Sequence, residues 1–174
     1  DVVVSTDGTI YFTNPGGRVK PAKREILISG VHTISASGTV SLAGAEIEYP
    51  NGLAFSPDET LLDVSNTRPT RDIRVFDVRP DGSLENGRIF ADMSSSNDDG
   101  VPDGMKVDVE GRVYCAGPGG CWVFEPSGEH LGTIQLPEVP ANCAWGGTDN
   151  RTMYFTARTS IYSLCMHTPG MSVH

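Results

Sequence analysis

Apolar and polar residues alternate over short runs along the whole chain, and Asp, Gly or Pro interrupts them every few positions. A two-residue period over about four to eight positions predicts half-buried strands. No stretch sustains the 3.6-residue period of a helix. Four segments share one pattern: a polar residue, a short apolar run, a turn, then a second run ending on a small or aromatic strand former. They begin at Asp1, Asn51, Asp103 and Asn142, and turn at Asp7-Gly8, Pro57-Asp58-Glu59, Glu110-Gly111 and Thr148-Asp149-Asn150. Such turns favour tight reversals, so each segment predicts a hairpin. A third strand is expected after each hairpin, at 31–36, 73–78, 121–125 and 160–165, with short outer strands at 88–91 and 131–135.

Units of short strands recurring about every 40–50 residues are the signature of propeller blades. The expected fold is therefore all-β, a β-propeller of four-stranded antiparallel blades. The blades fall at about 1–47, 48–99, 100–138 and 139–165. The tail 166–174 has turn formers and no strand pattern, so it is expected to lie loosely on the surface. A β-sandwich would account for the strands, but not for a polar residue recurring at the head of every first strand.

In a propeller the first strand of each blade lines the axis, so equivalent heads converge at one mouth of the channel. Asn51 and Asp103 would bring an amide and a carboxylate oxygen there, and Asn142 would reach the same region as a substrate-binding residue. Oxygen ligands suit a hard cation, and calcium tolerates a looser shell than magnesium does. Taken singly, each head is also what a turn before a strand prefers. Their recurrence after a proline-bearing approach, at Pro50, Pro102 and Pro140, favours a shared site.

Composition narrows the classes. With 174 residues and a net charge of −9, the chain has the wrong sign for a nucleic-acid surface. It contains no apolar run long enough for a membrane helix, so no membrane partner is expected. A soluble protein is anticipated, cytoplasmic before periplasmic. The four cysteines form no C-x-x-C pair and are expected to be free thiols. No G-x-S-x-G elbow, H-E-x-x-H pair or P-loop is present. Arg68, Arg71 and Arg74 cluster where they would either meet an anionic substrate or form a solvated edge.

The stretches Pro50-Asn-Gly-Leu-Ala-Phe-Ser-Pro-Asp58, Val101-Pro-Asp-Gly-Met-Lys-Val-Asp108 and Pro140-Ala-Asn-Cys-Ala-Trp-Gly-Gly147 resemble the gluconolactonase, regucalcin (senescence marker) and lactonase family of six-bladed propellers. The segment from Asp1 to Pro15 is similar too, and the resemblance runs to about Leu164. It implies that Asn51 and Asp103 are metal ligands and that Asp103 is the catalytic carboxylate. It implies one divalent cation, calcium before zinc or magnesium. It also implies a small-molecule partner, a sugar lactone hydrolysed to its aldonic acid.

The family's ligand set further includes a Glu from the first blade and a residue just before the Asp-Val-Val-Val strand, both upstream of Asp1. Six blades would take roughly 260 residues at this repeat length. About four blades of six, with part of the site, are therefore expected here. An open arc would expose blade faces and invite self-association. A closed four-bladed propeller is the alternative. Two departures stand out: Asn14, where relatives carry Asp, and Asp63, where relatives carry an apolar residue mid-strand. Rival readings are an organophosphate hydrolase on the same fold and a non-enzymatic binding scaffold.

Overall fold

The computed structural model describes the chain except residues 17–19, 45–46 and 173–174. Among the described residues, fifteen strands form four antiparallel sheets, each ordered as a simple meander. Blade 1 consists of β1 (Val2–Val4), β2 (Ile10–Asn14), β3 (Gly30–Ile34) and β4 (Val40–Gly44). Blade 2 consists of β5 (Pro50–Phe55), β6 (Leu61–Asn66), β7 (Asp72–Val78) and β8 (Leu84–Asp92). Blade 3 consists of β9 (Met105–Val107), β10 (Val113–Gly117), β11 (Gly120–Phe124) and β12 (His130–Gln135). Blade 4 holds three strands, β13 (Pro140–Gly146), β14 (Thr152–Ala157) and β15 (Ile161–Cys165). Among the described residues there is no α-helix, only a 3-10 turn at Pro21–Lys23. The fold is a four-bladed arrangement of the propeller type.

The blades pack through their sheet faces. Leu53, Leu62, Val64 and Phe76 of blade 2 meet Tyr11 and Val31 of blade 1. Ala54 and Ile73 of blade 2 meet Met105, Val113, Cys115 and Phe124 of blade 3. Tyr114 and Cys121 of blade 3 meet Cys143, Met153 and Phe155 of blade 4. Strand alternation makes this possible, because each blade must bury both faces and so carries apolar residues on both. The inner strands follow one another around the axis, β1 against β5, β5 against β9 and β9 against β13. All four cysteines are free, three of them buried and Cys165 exposed. Cys115 faces Trp122 and Cys121 faces Ala116 in the ladder, so the pair is offset across its hairpin.

The tail departs from expectation. Over 166–172 it is not loose: Val109 N donates to Pro169 O (3.1 Å), Met171 N to Val107 O (3.1 Å) and Gly170 N to Asn150 O (2.9 Å). Gly170 lies so close to Trp145 that an added Cβ would sit 1.9 Å from the ring. The backbone of this segment pairs with the end of β9 and with the turn between β13 and β14, a role that leaves no side-chain period to read. Residues 173–174 of the tail lie outside the described residues.

Asp63 is the local conflict in the design. It sits mid-strand in β6, opposite Val75, and is only 5% exposed. Its Oδ1 has no hydrogen-bond partner. The side chain lines a cavity of about 200 Å³ between blades 2 and 3, with Leu61, Val75, Phe90 and Val113 as apolar walls and Arg88 nearby. Burial pushes its carboxyl up from 3.8 to about 7, with Arg88 opposing the shift.

Candidate functional site

The approach to the inner strands of blades 2, 3 and 4 carries a proline and a polar head, with a glycine directly after the head in blades 2 and 3. Those glycines serve close approach. A Cβ on Gly52 would stand 2.3 Å from Asp103 O, and one on Gly104 would stand 2.0 Å from Asn142 Oδ1. With no Cβ in the way, Gly52 N donates to Asp103 O (3.2 Å) and Gly104 N donates to Ala141 O (2.9 Å). Successive heads are thus tied backbone to backbone. Gly52→Ala is expected to destabilise the fold by about 3 kcal/mol, since the obstructing atom is backbone and cannot swing aside. A lowered urea midpoint at unchanged slope is the measurement.

Hydroxyls from the second strands reinforce these ties. Thr13 Oγ1 donates to Asn51 O (2.6 Å) and Ser65 Oγ donates to Asp103 O (2.7 Å). Ser65, fully buried, also accepts from Gly52 N at 2.8 Å, so one side chain joins the heads of blades 2 and 3. Thr156 occupies the equivalent place in blade 4, 3.4 Å from Asn142 O. Blade 3 has Ala116 there, which offers no hydroxyl; its backbone pairs with the head of its own blade, Asp103 N donating to Ala116 O and Ala116 N to Gly104 O, both at 2.9 Å. The sequence reading missed these hydroxyls. The signal was a small residue at one repeated position, Thr13, Ser65, Ala116 and Thr156, near the end of each second strand.

Asn51 and Asp103 line one cavity of about 430 Å³, together with Thr67, Arg68, Tyr49 and Val101. Both heads are partly buried. Thr67, just past β6, accepts from Asn51 Nδ2 (3.2 Å) and donates to Pro102 O (3.1 Å). The Arg68 guanidinium lies 4.1 Å above the Tyr49 ring. Of the three arginines in that segment, Arg71 instead donates to Ser94 O (3.2 Å) and Ser96 O (2.9 Å), and Arg74 pairs with Asp72 (3.5 Å).

Asn142 is placed differently. Its Oδ1 accepts from its own neighbour Cys143 N (2.8 Å), and its Nδ2 points to Asp1 Oδ2 at 3.4 Å. It is not among the residues lining the Asn51–Asp103 cavity. Lys106, further down β9, donates to Met105 O (2.8 Å) and lies 3.8 Å from Asp1 Oδ2; burial holds its ammonium below the usual lysine range.

Among the described residues, no three His, Cys, Asp or Glu side chains gather as a metal cluster. The donor set at the cavity is one carboxylate and one amide. That set fits an oxygen-preferring cation whose remaining positions go to water or substrate. The fit rests on a concrete feature: the Asn51 amide nitrogen is engaged by Thr67, which leaves its oxygen for the cavity.

The sequence profile of the SMP-30/Gluconolactonase/LRE-like region matches residues 1–159. A gluconolactonase of Zymomonas mobilis is 33% identical, over 98% of this chain and 51% of its own length. The solved gluconolactonase of Xanthomonas campestris superimposes with a TM-score of 0.82 at 32% identity, over 98% of this chain and 56% of its own. A regucalcin from Agrobacterium tumefaciens, described as a calcium-binding protein, shares the fold at a TM-score of 0.79 and 18% identity, over 99% of this chain and 62% of its own. The chain thus spans about half the length of the curated relatives it matches. It belongs to the SMP-30/gluconolactonase/LRE-like family.

Proposed function

We propose that this chain carries part of the active site of a sugar-lactone hydrolase, with Asn51 and Asp103 holding a divalent cation. The observation that supports the reading most is that these two heads, from successive blades, open into one cavity. The Zymomonas and Xanthomonas relatives, both gluconolactonases, supply the reaction class. The regucalcin relative makes calcium the first choice of cation, before zinc or magnesium.

A cation bound there would supply polarisation of the lactone carbonyl and stabilise the charge developing on its oxygen. Asn51 contributes a neutral oxygen ligand. Asp103 contributes a charged one and orients the attacking water. The water oxygen bonds to the carbonyl carbon, the ring C–O bond breaks, and the water's proton ends on the former ring oxygen, giving the open aldonic acid. A carboxylate beside a cation is held ionised, which makes Asp103 a better ligand than base. Arg68 and Tyr49 form a polar and aromatic wall for the sugar, while Asn142 stands outside that lining, beside Asp1.

The test uses the full-length protein and pH-stat hydrolysis of glucono-δ-lactone. Activity should appear on adding calcium, vanish with a chelator, and return with excess metal. Bound cation should also raise the melting temperature by mass action. Hydrolysis that is indifferent to chelation, or activity confined to organophosphate substrates, sinks the reading.

A further inference from the structure

We infer that Thr67 is a positioning residue that fixes the amide of Asn51 with its oxygen toward the cation site. The inference rests on the cation reading given above and deepens it, naming what holds Asn51 in the orientation that reading uses.

Donor and acceptor accounting carries it. A threonine hydroxyl has one proton and can accept as well. Thr67 Oγ1 lies 3.1 Å from Pro102 O and 3.2 Å from the Asn51 amide. The Pro102 carbonyl can only accept, so the single hydroxyl proton of Thr67 goes to it. What remains at Thr67 Oγ1 is acceptor capacity, and only the nitrogen end of the Asn51 amide can satisfy that. The two ends of an asparagine amide are nearly equal in size, so packing alone would not choose between them. The hydrogen-bond count does: Nδ2 faces Thr67, and Oδ1 is turned to the cavity that Asn51, Thr67 and Asp103 line together.

The same arrangement registers the two blades. Pro102 directly precedes Asp103, so Thr67 holds the approach to one ligand through its donor and the other ligand through its acceptor. Ser65 works in parallel on the backbone, joining Gly52 N and Asp103 O. Thr67 acts instead on a side chain that would touch the cation. Partners that orient metal ligands typically contribute about 10- to 100-fold in affinity.

Calcium affinity by titration calorimetry on the full-length protein is the test. Thr67→Val keeps the shape and removes both hydrogen bonds; it should weaken calcium binding about 10- to 100-fold. Thr67→Ser keeps the hydroxyl and should restore most of the affinity. Unchanged affinity in Thr67→Val overturns the inference, provided Asn51→Ala and Asp103→Asn both lose calcium. If those two also bind normally, it is the cation reading that fails. A second readout needs neither metal nor a variant. In the metal-free wild type, the Asn51 side-chain amide protons should exchange with solvent more slowly than those of a free asparagine. Exchange at the free rate overturns the inference even if Thr67→Val does not fold.

Discussion

Asp63→Leu is expected to stabilise the fold increasingly as pH rises, with the advantage over wild type growing by up to about 4 kcal/mol between pH 4 and pH 7. Asp63 is buried with an unpartnered oxygen, and its carboxyl is pushed up from 3.8 to about 7. The folded state therefore binds its proton more tightly than the unfolded state does. Below the unfolded value the acid is neutral in both states and imposes no ionisation penalty. As pH climbs from 3.8 towards 7, the unfolded chain ionises freely while the folded chain resists, and stability is lost. Above about 7 both states are ionised and the loss is complete. Arg88 is the cation near Asp63, and it is engaged 2.9 Å from Asp77, which limits the relief it gives. Leucine removes the titrating group and fills part of the 200 Å³ cavity. Urea unfolding of both proteins at several pH values reads the difference directly. Carboxylates with lowered pKa, such as Asp58 and Asp92, titrate in both proteins and cancel. A difference that stays flat with pH would show that Asp63 is solvated or paired in the folded protein.

Asp103→Asn should reduce kcat/KM for lactone hydrolysis by about a thousandfold, near 4 kcal/mol of transition-state stabilisation. The substitution removes the one charged oxygen that Asn51 and Asp103 jointly offer to a cation. It keeps the main-chain bonds of this head: Asp103 N to Ala116 O, and Asp103 O accepting from Gly52 N and Ser65 Oγ. The variant should therefore melt close to the wild type without metal and lose the calcium-dependent rise in melting temperature. Retained activity at saturating calcium would remove Asp103 from the site.

The two predictions meet at β6, which carries Asp63 and reaches Asp103 O through Ser65 Oγ. Asp63 and Ser65 lie two apart on β6, yet one strains the blade interface and the other organises the site. Both were visible in the sequence as polar residues within an apolar run. Asp63 could be flagged there, because a carboxylate in a buried strand conflicts with its neighbours whatever the fold. Ser65 could not, since a serine is compatible with either face of a strand. Its meaning comes from which backbone atoms the next blade brings within 3 Å.

Alternation, turn residues and a repeated unit were enough to set the all-β class, the meander within each blade and the order of blades. Those depend on contacts between residues near in sequence, and the period-2 pattern records them directly. The heads Asn51 and Asp103 were legible for the same reason, as one position in a repeat. The tertiary structure alone decided which heads share a cavity, separating Asn142 from the other two, and it drew 166–172 against the inner strands. It alone showed why glycine follows the heads Asn51 and Asp103 and how Ser65 and Thr67 bridge the blades. Interactions of that kind join atoms of different blades through backbone groups present in every residue, and a backbone group leaves no mark on the sequence that could announce its partner.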